Sequence, residues 1–163
     1  MKISILSDSH DNWINLDRAV AISNEQGCEY ALFAGDLIAP PQLAILEKFN
    51  GKVYFVWGNN EAEKVGMTRM MDASEKIELS GDIYEGEIDG VKVFMNHYPR
   101  ISELAAKSGE FDLCIHGHTH EYRQEKIGET ILINPGEVQG FKTGVASFVV
   151  FDTVSKQVEK IVL

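Results

Sequence analysis

Cysteine is scarce: Cys28 and Cys114 are the only two in 163 residues, far apart and in no paired motif. That excludes a disulfide framework and argues against a structural zinc site built on thiolates. Isolated thiols beside apolar stretches read instead as reduced core residues, as expected of a cytoplasmic protein. Long apolar runs are missing as well, and none approaches the roughly 20 residues a membrane helix needs. The opening "MKISILSDSHDN" turns polar after six residues, too soon for a secretory apolar region. Positive charge is in short supply: 15 Lys and Arg face 25 Asp and Glu, for a net charge of −10. Most of such a surface repels a long nucleic-acid backbone, while a small anion entering a locally positive pocket remains compatible. With four prolines, no repeat and no low-complexity or linker-like stretch, residues 1–163 are expected to form a single domain. A 44% hydrophobic and 25% charged composition fits a soluble globular chain able to bury a core.

The pattern of what is present is α/β, in the α+β sense. Strands are expected over 2–7, 29–35 and 52–58. A helix from Trp13 to Gln26, capped by Asn12 and ended by Gly27, follows the first, with Leu16, Ala19, Val20 and Ile22 spaced for one face. A short helix beginning at Pro41 follows the second strand, and a helical stretch from Glu61 to about Glu75 follows the third. From Lys76 the pattern changes to a hairpin turning at Asp89-Gly90, a short helix over 101–108, a strand in "FDLCIHG", a hairpin at Gly128 and two closing strands. The first half thus reads as βαβα with parallel strands, the second as mainly antiparallel β.

Histidine is the residue to follow, because three of the five stand within "HGHTH" (116–120), after an apolar run. A single histidine there reads as a polar residue satisfied by a neighbouring backbone group. In an extended segment, though, residues two apart share a face, so His116, His118 and His120 could point one way, about 6.6 Å apart. That spacing is wide for one ion but suits ligands flanking two ions about 3.5–4 Å apart. The other expected strands end comparably, in Asp8-Ser9-His10, Gly35-Asp36, Gly58-Asn59-Asn60 and Asn96-His97. Each group alone is weak, and Asp8 or Asp36 could simply cap a helix or close a turn. Five apolar strands delivering Asp, Asn or His at their carboxyl ends, where sheet folds collect ligand sites, form a stronger pattern.

"DSH", "GD", "GNN", "NH" and "HGHTH" together resemble the five motifs of calcineurin-like metallophosphoesterases, most of all their small prokaryotic phosphodiesterases, over essentially the whole chain. The resemblance implies a single-domain β-sandwich of two mixed sheets flanked by helices, with a two-metal centre. It assigns Asp8, His10 and His120 to one ion and Asn59, His97 and His118 to the second, with Asp36 bridging. His116 has no ligand role in that scheme. The implied activity is hydrolysis of a small phosphodiester by a metal-bridging hydroxide that Asp36, His97 and His118 help to hold. Manganese is the first expectation for the metal, with Ni, Fe, Co or Zn as alternatives suited to imidazole, carboxylate and amide ligands. Two divalent ions, less Asp8, Asp36 and the hydroxide, leave about one positive charge for the substrate anion.

Three departures from the family pattern stand out. Ala39 occupies a position where relatives usually carry an acid, His97-Tyr98-Pro99 replaces a frequent His-Gly-His, and Asn60 stands where many members have histidine. Asn60 is therefore either a catalytic or substrate-contacting residue or the cap of the helix expected from Glu61. Arg100 is either a substrate contact or a solvated loop residue. Asn134 in "INPGE" is a turn residue that the resemblance moves to the pocket edge. A small phosphodiester is the expected partner, with neither long nucleic acid nor membrane, and homo-oligomerisation is left open. The main alternative function is a metal-binding protein-assembly scaffold of the same fold with little or no turnover. A weaker one is a regulator that senses a nucleotide without turnover.

Overall fold

Apolar side chains alternate along the strands and sort themselves onto two faces. The computed structural model describes residues 1–163. The first half runs β1 (Lys2–Leu6), α1 (Trp13–Glu25), β2 (Cys28–Phe33), a 3₁₀ turn (Pro40–Gln42), α2 (Leu43–Leu46), β3 (Lys52–Phe55), α3 (Lys64–Asp72) and β4 (Ile77–Leu79). The second runs β5 (Ile83–Ile88), β6 (Val91–Asn96), α4 (Pro99–Ser108), β7 (Leu113–Ile115), β8 (Arg123–Ile127), β9 (Thr130–Asn134), β10 (Ser147–Asp152) and β11 (Val158–Val162). These strands make a six-stranded sheet of order β11-β10-β1-β2-β3-β4 and a five-stranded sheet of order β5-β6-β7-β9-β8. Both sheets are mixed. β1 pairs parallel to β2 and antiparallel to β10, while β7 is parallel to both β6 and β9.

The sheets face each other across one apolar layer. Ile3 and Ile5 of β1, Leu32 of β2 and Val149 of β10 meet Val93 and Met95 of β6, Leu113 and Ile115 of β7, and Ile133 of β9. Burial of each such side chain contributes about 1.5–3 kcal/mol. The intervening residues point outward: Ala31, Phe33, Val53 and Phe55 pack under α1, α2 and α3, with Leu16, Leu46 and Met67. Phe94, Cys114 and Leu132 pack under Ala106 of α4. The result is a helix-flanked sandwich of two mixed sheets, as the family resemblance implied.

Several boundaries differ from expectation for local reasons. Asn12 does cap α1, its side chain accepting from the Asn15 N–H at 3.2 Å. The helix α3 begins at Lys64 rather than Glu61, because Glu63 is the cap: its carboxylate accepts from the Gly66 N–H. α4 starts two residues early, with Pro99 in its first turn. The strand β4 has only three residues, too few to show a period. The second half is mainly antiparallel, as expected, and β7 is the exception: the crossover from β6 through α4 sets it parallel to both neighbours.

Candidate metal centre

Each of the seven donors leaves the carboxyl end of a strand. Asp8 and His10 follow β1, Asp36 follows β2, Asn59 follows β3, His97 follows β6, and His118 and His120 follow β7. Pairing of β1, β2 and β3 in one sheet and of β6 and β7 in the other gathers these ends together. The loops brace one another through their backbones. The N–H of Asp8 donates to the Gly35 carbonyl (3.0 Å), that of His10 to the Asp36 carbonyl (3.1 Å) and that of Gly117 to the His97 carbonyl (3.0 Å).

The bracing holds unusual conformations. Five of the seven donors have left-handed backbone: Asp8 (φ 54°), His10 (41°), Asp36 (62°), His118 (67°) and His120 (68°). A strained conformation of this kind costs about 1–3 kcal/mol in a non-glycine residue and clusters at functional sites. It also overturns the expectation that His116, His118 and His120 share one face of an extended segment. β7 ends at Ile115, and His118 and His120 are aimed by their left-handed backbones. Gly117, between His116 and His118, has no room for a side chain, since a Cβ there would lie 2.6 Å from Asp8 Oδ2.

Three oxygens in the site each sit between two imidazole nitrogens. Asp8 Oδ1 is 3.7 Å from His10 Nε2 and 3.4 Å from His120 Nε2. Asp36 Oδ2 is 3.3 Å from His10 Nε2 and 3.5 Å from His97 Nε2. Asn59 Oδ1 is 2.9 Å from His97 Nε2 and 2.8 Å from His118 Nδ1. The structure thus gathers Asp8, His10 and His120 on one side, Asn59, His97 and His118 on the other, and Asp36 between. Ligand atoms of Asp8, His10 and His120 lie within 4.8 Å of one another, as do those of Asp8, Asp36 and His97. Asp8, Asp36, His97 and His120 form a buried floor, whereas Asn59 and His118 are exposed and leave the site open on their side.

The protonation pattern suits a cation. His97 Nδ1 faces the Ala34 carbonyl at 2.7 Å, which can only accept, so in the neutral ring Nε2 presents its lone pair to Asn59 Oδ1. His120 Nδ1 faces Glu137 Oε2 at 2.8 Å, which likewise turns the Nε2 lone pair toward Asp8. Asp8 Oδ2 accepts from Ser7 Oγ (2.6 Å) and the His118 N–H (3.1 Å). Asp8 Oδ1 and His10 Nε2, by contrast, are buried with no hydrogen-bond partner. Unpaired buried polar atoms are costly, and two of them side by side among acceptors fit a bound metal ion. Burial, then the neighbouring His97 and Lys142, hold the His118 imidazole below its usual pKa, so it favours the neutral, ligating form. At His10 burial pulls the pKa down, but the negative charges of the neighbouring Asp8, Asp36 and Glu137 outweigh it and leave it raised.

Two carboxylates that the sequence reading missed support this centre. Glu137, fully buried after β9, accepts from His120 through Oε2 and from the N–H and hydroxyl of Thr143 through Oε1. Burial pushes its carboxyl up, but the hydrogen bonds from His120, Thr143 and Gln139 prevail and bring it down to about 2. A third carboxylate beside the donors offsets the single positive charge expected from Asp8 and Asp36 alone. Glu61 clasps two loops, accepting from the N–H groups of Asp36 (2.8 Å) and Leu37 (3.4 Å) through Oε1 and from Gly58 (3.1 Å) through Oε2. The only signal for either was its place, two residues beyond Asn59 or inside "NPGE".

Asn60 does not cap a helix: its N–H donates to Asp36 Oδ1 and its side-chain amide to Asp36 Oδ2, both at 2.8 Å. Arg100 is exposed in the first turn of α4, with no carboxylate partner. Asn134 is buried and braces the histidine loop, donating to the Gly117 carbonyl and Thr119 Oγ1 at 2.9 Å each. His116 is buried with Nδ1 beside the Gly117 carbonyl, and it lines a separate cavity with Glu103, Tyr122 and Arg123.

Two helix-flanked mixed sheets with donors of these types at their strand ends constitute a metallophosphoesterase fold. The chain belongs to the calcineurin-like phosphoesterase superfamily, whose domain model matches residues 1–156, and it is a hydrolase of that class. It is 33% identical over 165 residues to a phosphodiesterase of Methanocaldococcus jannaschii, covering 100% of this chain and 99% of that protein. It superimposes on the structure of an archaeal phosphodiesterase with a TM-score of 0.93 at 34% identity, covering both chains in full. A Vps29 from Entamoeba histolytica shares the fold alone, with a TM-score of 0.69 at 17% identity over 100% of this chain and 99% of that one. No helix is long and apolar enough to cross a membrane.

Proposed function

We propose that the chain is a phosphodiesterase that binds two divalent metal ions and hydrolyses small phosphodiesters. The observation that carries this reading is the position of Asp36 Oδ2, 3.3 Å from His10 Nε2 and 3.5 Å from His97 Nε2, where one carboxylate oxygen serves both donor clusters. Asp8, His10 and His120 would hold one ion, Asn59, His97 and His118 the other, and Asp36 both. Manganese is the first choice, with Ni, Fe, Co or Zn compatible with the same nitrogen and oxygen donors. When bound, such ions supply a water of lowered pKa and positive charge for the phosphoryl oxygens.

The chain's own residues prepare that chemistry. The Ala34 carbonyl orients the His97 ring and Glu137 that of His120, while burial favours the neutral form of His118. Asn60 fixes the Asp36 carboxylate through two hydrogen bonds. The substrate approaches from the exposed side of Asn59 and His118. There Lys142, whose charge is felt by His118, offsets the buried carboxylates, and Arg100, exposed in the first turn of α4 with no carboxylate partner, is the candidate for a further substrate contact. A non-catalytic assembly role has the Vps29-like fold in its favour, but a scaffold has no need of seven converging donors.

Hydrolysis of bis(4-nitrophenyl) phosphate by the Mn²⁺-loaded chain tests the proposal. Turnover should vanish with a chelator, return with Mn²⁺ and be lost in Asp36→Ala. Absence of turnover with each of the five metals would reject it.

A further inference from the structure

Beside the donor loops lies a cavity of about 390 Å³, lined by Asp11, Trp13, Ala39, Pro41, Gln42 and Ile45. Its two walls continue the loops that carry His10 and Asp36. Asp11 directly follows His10, and Ala39 comes three residues after Asp36. The walls are tied together by the N–H of His10 on the Asp36 carbonyl (3.1 Å), the N–H of Asp11 on the Leu37 carbonyl (3.4 Å) and Gln42 Nε2 on Asp11 Oδ1 (2.7 Å). Left-handed backbone at Asp11 (φ 60°) and Ile38 (φ 88°) shows that both walls are held in shape rather than relaxed. Trp13, the first residue of α1, is 63% exposed at this cavity, an unusual cost in water for so large an apolar ring.

The geometry points to this cavity as a subsite for an uncharged aromatic ester arm of the phosphodiester. The inference rests on the phosphodiesterase reading, since the phosphate must be held where His10 and Asp36 meet. A diester placed there projects two arms, and one of them has these walls beside it. The volume is at the lower end of small-ligand pockets and suits a ring rather than a peptide segment. Trp13 offers a stacking face, while Pro41, Ile45 and Ala39 supply apolar contact. Asp11 sets the charge of the occupant: its Oδ1 is taken by Gln42, and the carboxylate disfavours an anionic arm but accepts a donor on the ring edge.

The test compares two phosphonates on the Mn²⁺-loaded chain by calorimetry, at a pH above the second ionisation of both so that each is a dianion. In benzylphosphonate a CH₂ replaces the ester oxygen before an aromatic ring, and ethylphosphonate lacks the ring. Benzylphosphonate should bind about tenfold tighter, within the usual range for stacking on one aromatic side chain. Trp13→Ala, at an exposed position, should erase that preference. So should Ala39→Phe, which fills the cavity from the opposite wall, and ethylphosphonate affinity should move less than about twofold in either variant. Equal binding of the two phosphonates to the unaltered chain, or a preference that survives both substitutions, would overturn the subsite while leaving the phosphodiesterase reading intact. If neither phosphonate binds, the phosphate site fails and the subsite with it.

Discussion

Glu137 Oε2 accepts a hydrogen bond from His120 Nδ1 at 2.8 Å, with Glu137 fully buried and His120 7% exposed. The same carboxylate holds the N–H and hydroxyl of Thr143 and the side-chain amide of Gln139. One buried group therefore orients a donor of the centre and anchors the loop bearing Phe141 and Lys142. Carboxylates behind metal-bound histidines fix the ring's tautomer and raise its basicity.

Glu137→Gln keeps the shape but removes the charge that orients His120. Metal affinity should fall by about 10- to 100-fold. Competition between the chain and a calibrated chelator for Mn²⁺ measures this. Unchanged affinity would mean that Glu137 serves the loop and not the ligand.

Asn60 donates to both oxygens of Asp36 and carries no proton to give to a leaving alkoxide. General acid catalysis is typically worth about 10²–10⁴ in rate, and this position cannot supply it. Hydrolysis rates over a series of aryl and alkyl diesters should fall steeply as the leaving-group pKa rises. A flat dependence, with chemistry shown to limit the rate, would place a general acid elsewhere in the site.

The Cys28 and Cys114 thiols are both buried, and burial pushes their pKa values up, to about 11 and about 12. A raised thiol pKa leaves almost no thiolate at pH 8, and the thiolate is the reactive form. The folded chain should therefore react with neither thiol accessible to a disulfide-exchange reagent at pH 8, and two should titrate after denaturation. Rapid reaction of the native chain would show that one of these strands opens.

The convergence of the site's side chains was legible because each sits at a fixed offset from an apolar strand, and both strand and offset are local features. Asp8, Asp36 and His97 needed only that pattern. The aim of His118 and His120 was not legible, because it depends on left-handed backbone that the Asp8 carboxylate and the close approach of Gly117 enforce. Glu137 and Glu61 look like ordinary loop acids in the sequence. Their roles appear only when Val138 and Gln139 donate from their N–H groups to the carbonyls of Ser7 and Asp8, and when Gly58 comes within reach of Glu61. Of the alternatives open for Asn60, the cap falls away although asparagine suits that position, because Glu63 three residues later takes it. The three-residue β4 and the parallel setting of β7 depend on partners distant in sequence, which periodicity does not encode.

In the proposed centre two donor clusters share Asp36. Elemental analysis of the chain after equilibrium dialysis against Mn²⁺ tests it most directly. The unaltered chain should approach two ions per molecule, and Asp36→Ala should fall well below that. A stoichiometry fixed at one or zero in the unaltered chain, or an Asp36→Ala variant that still holds two ions, would contradict it.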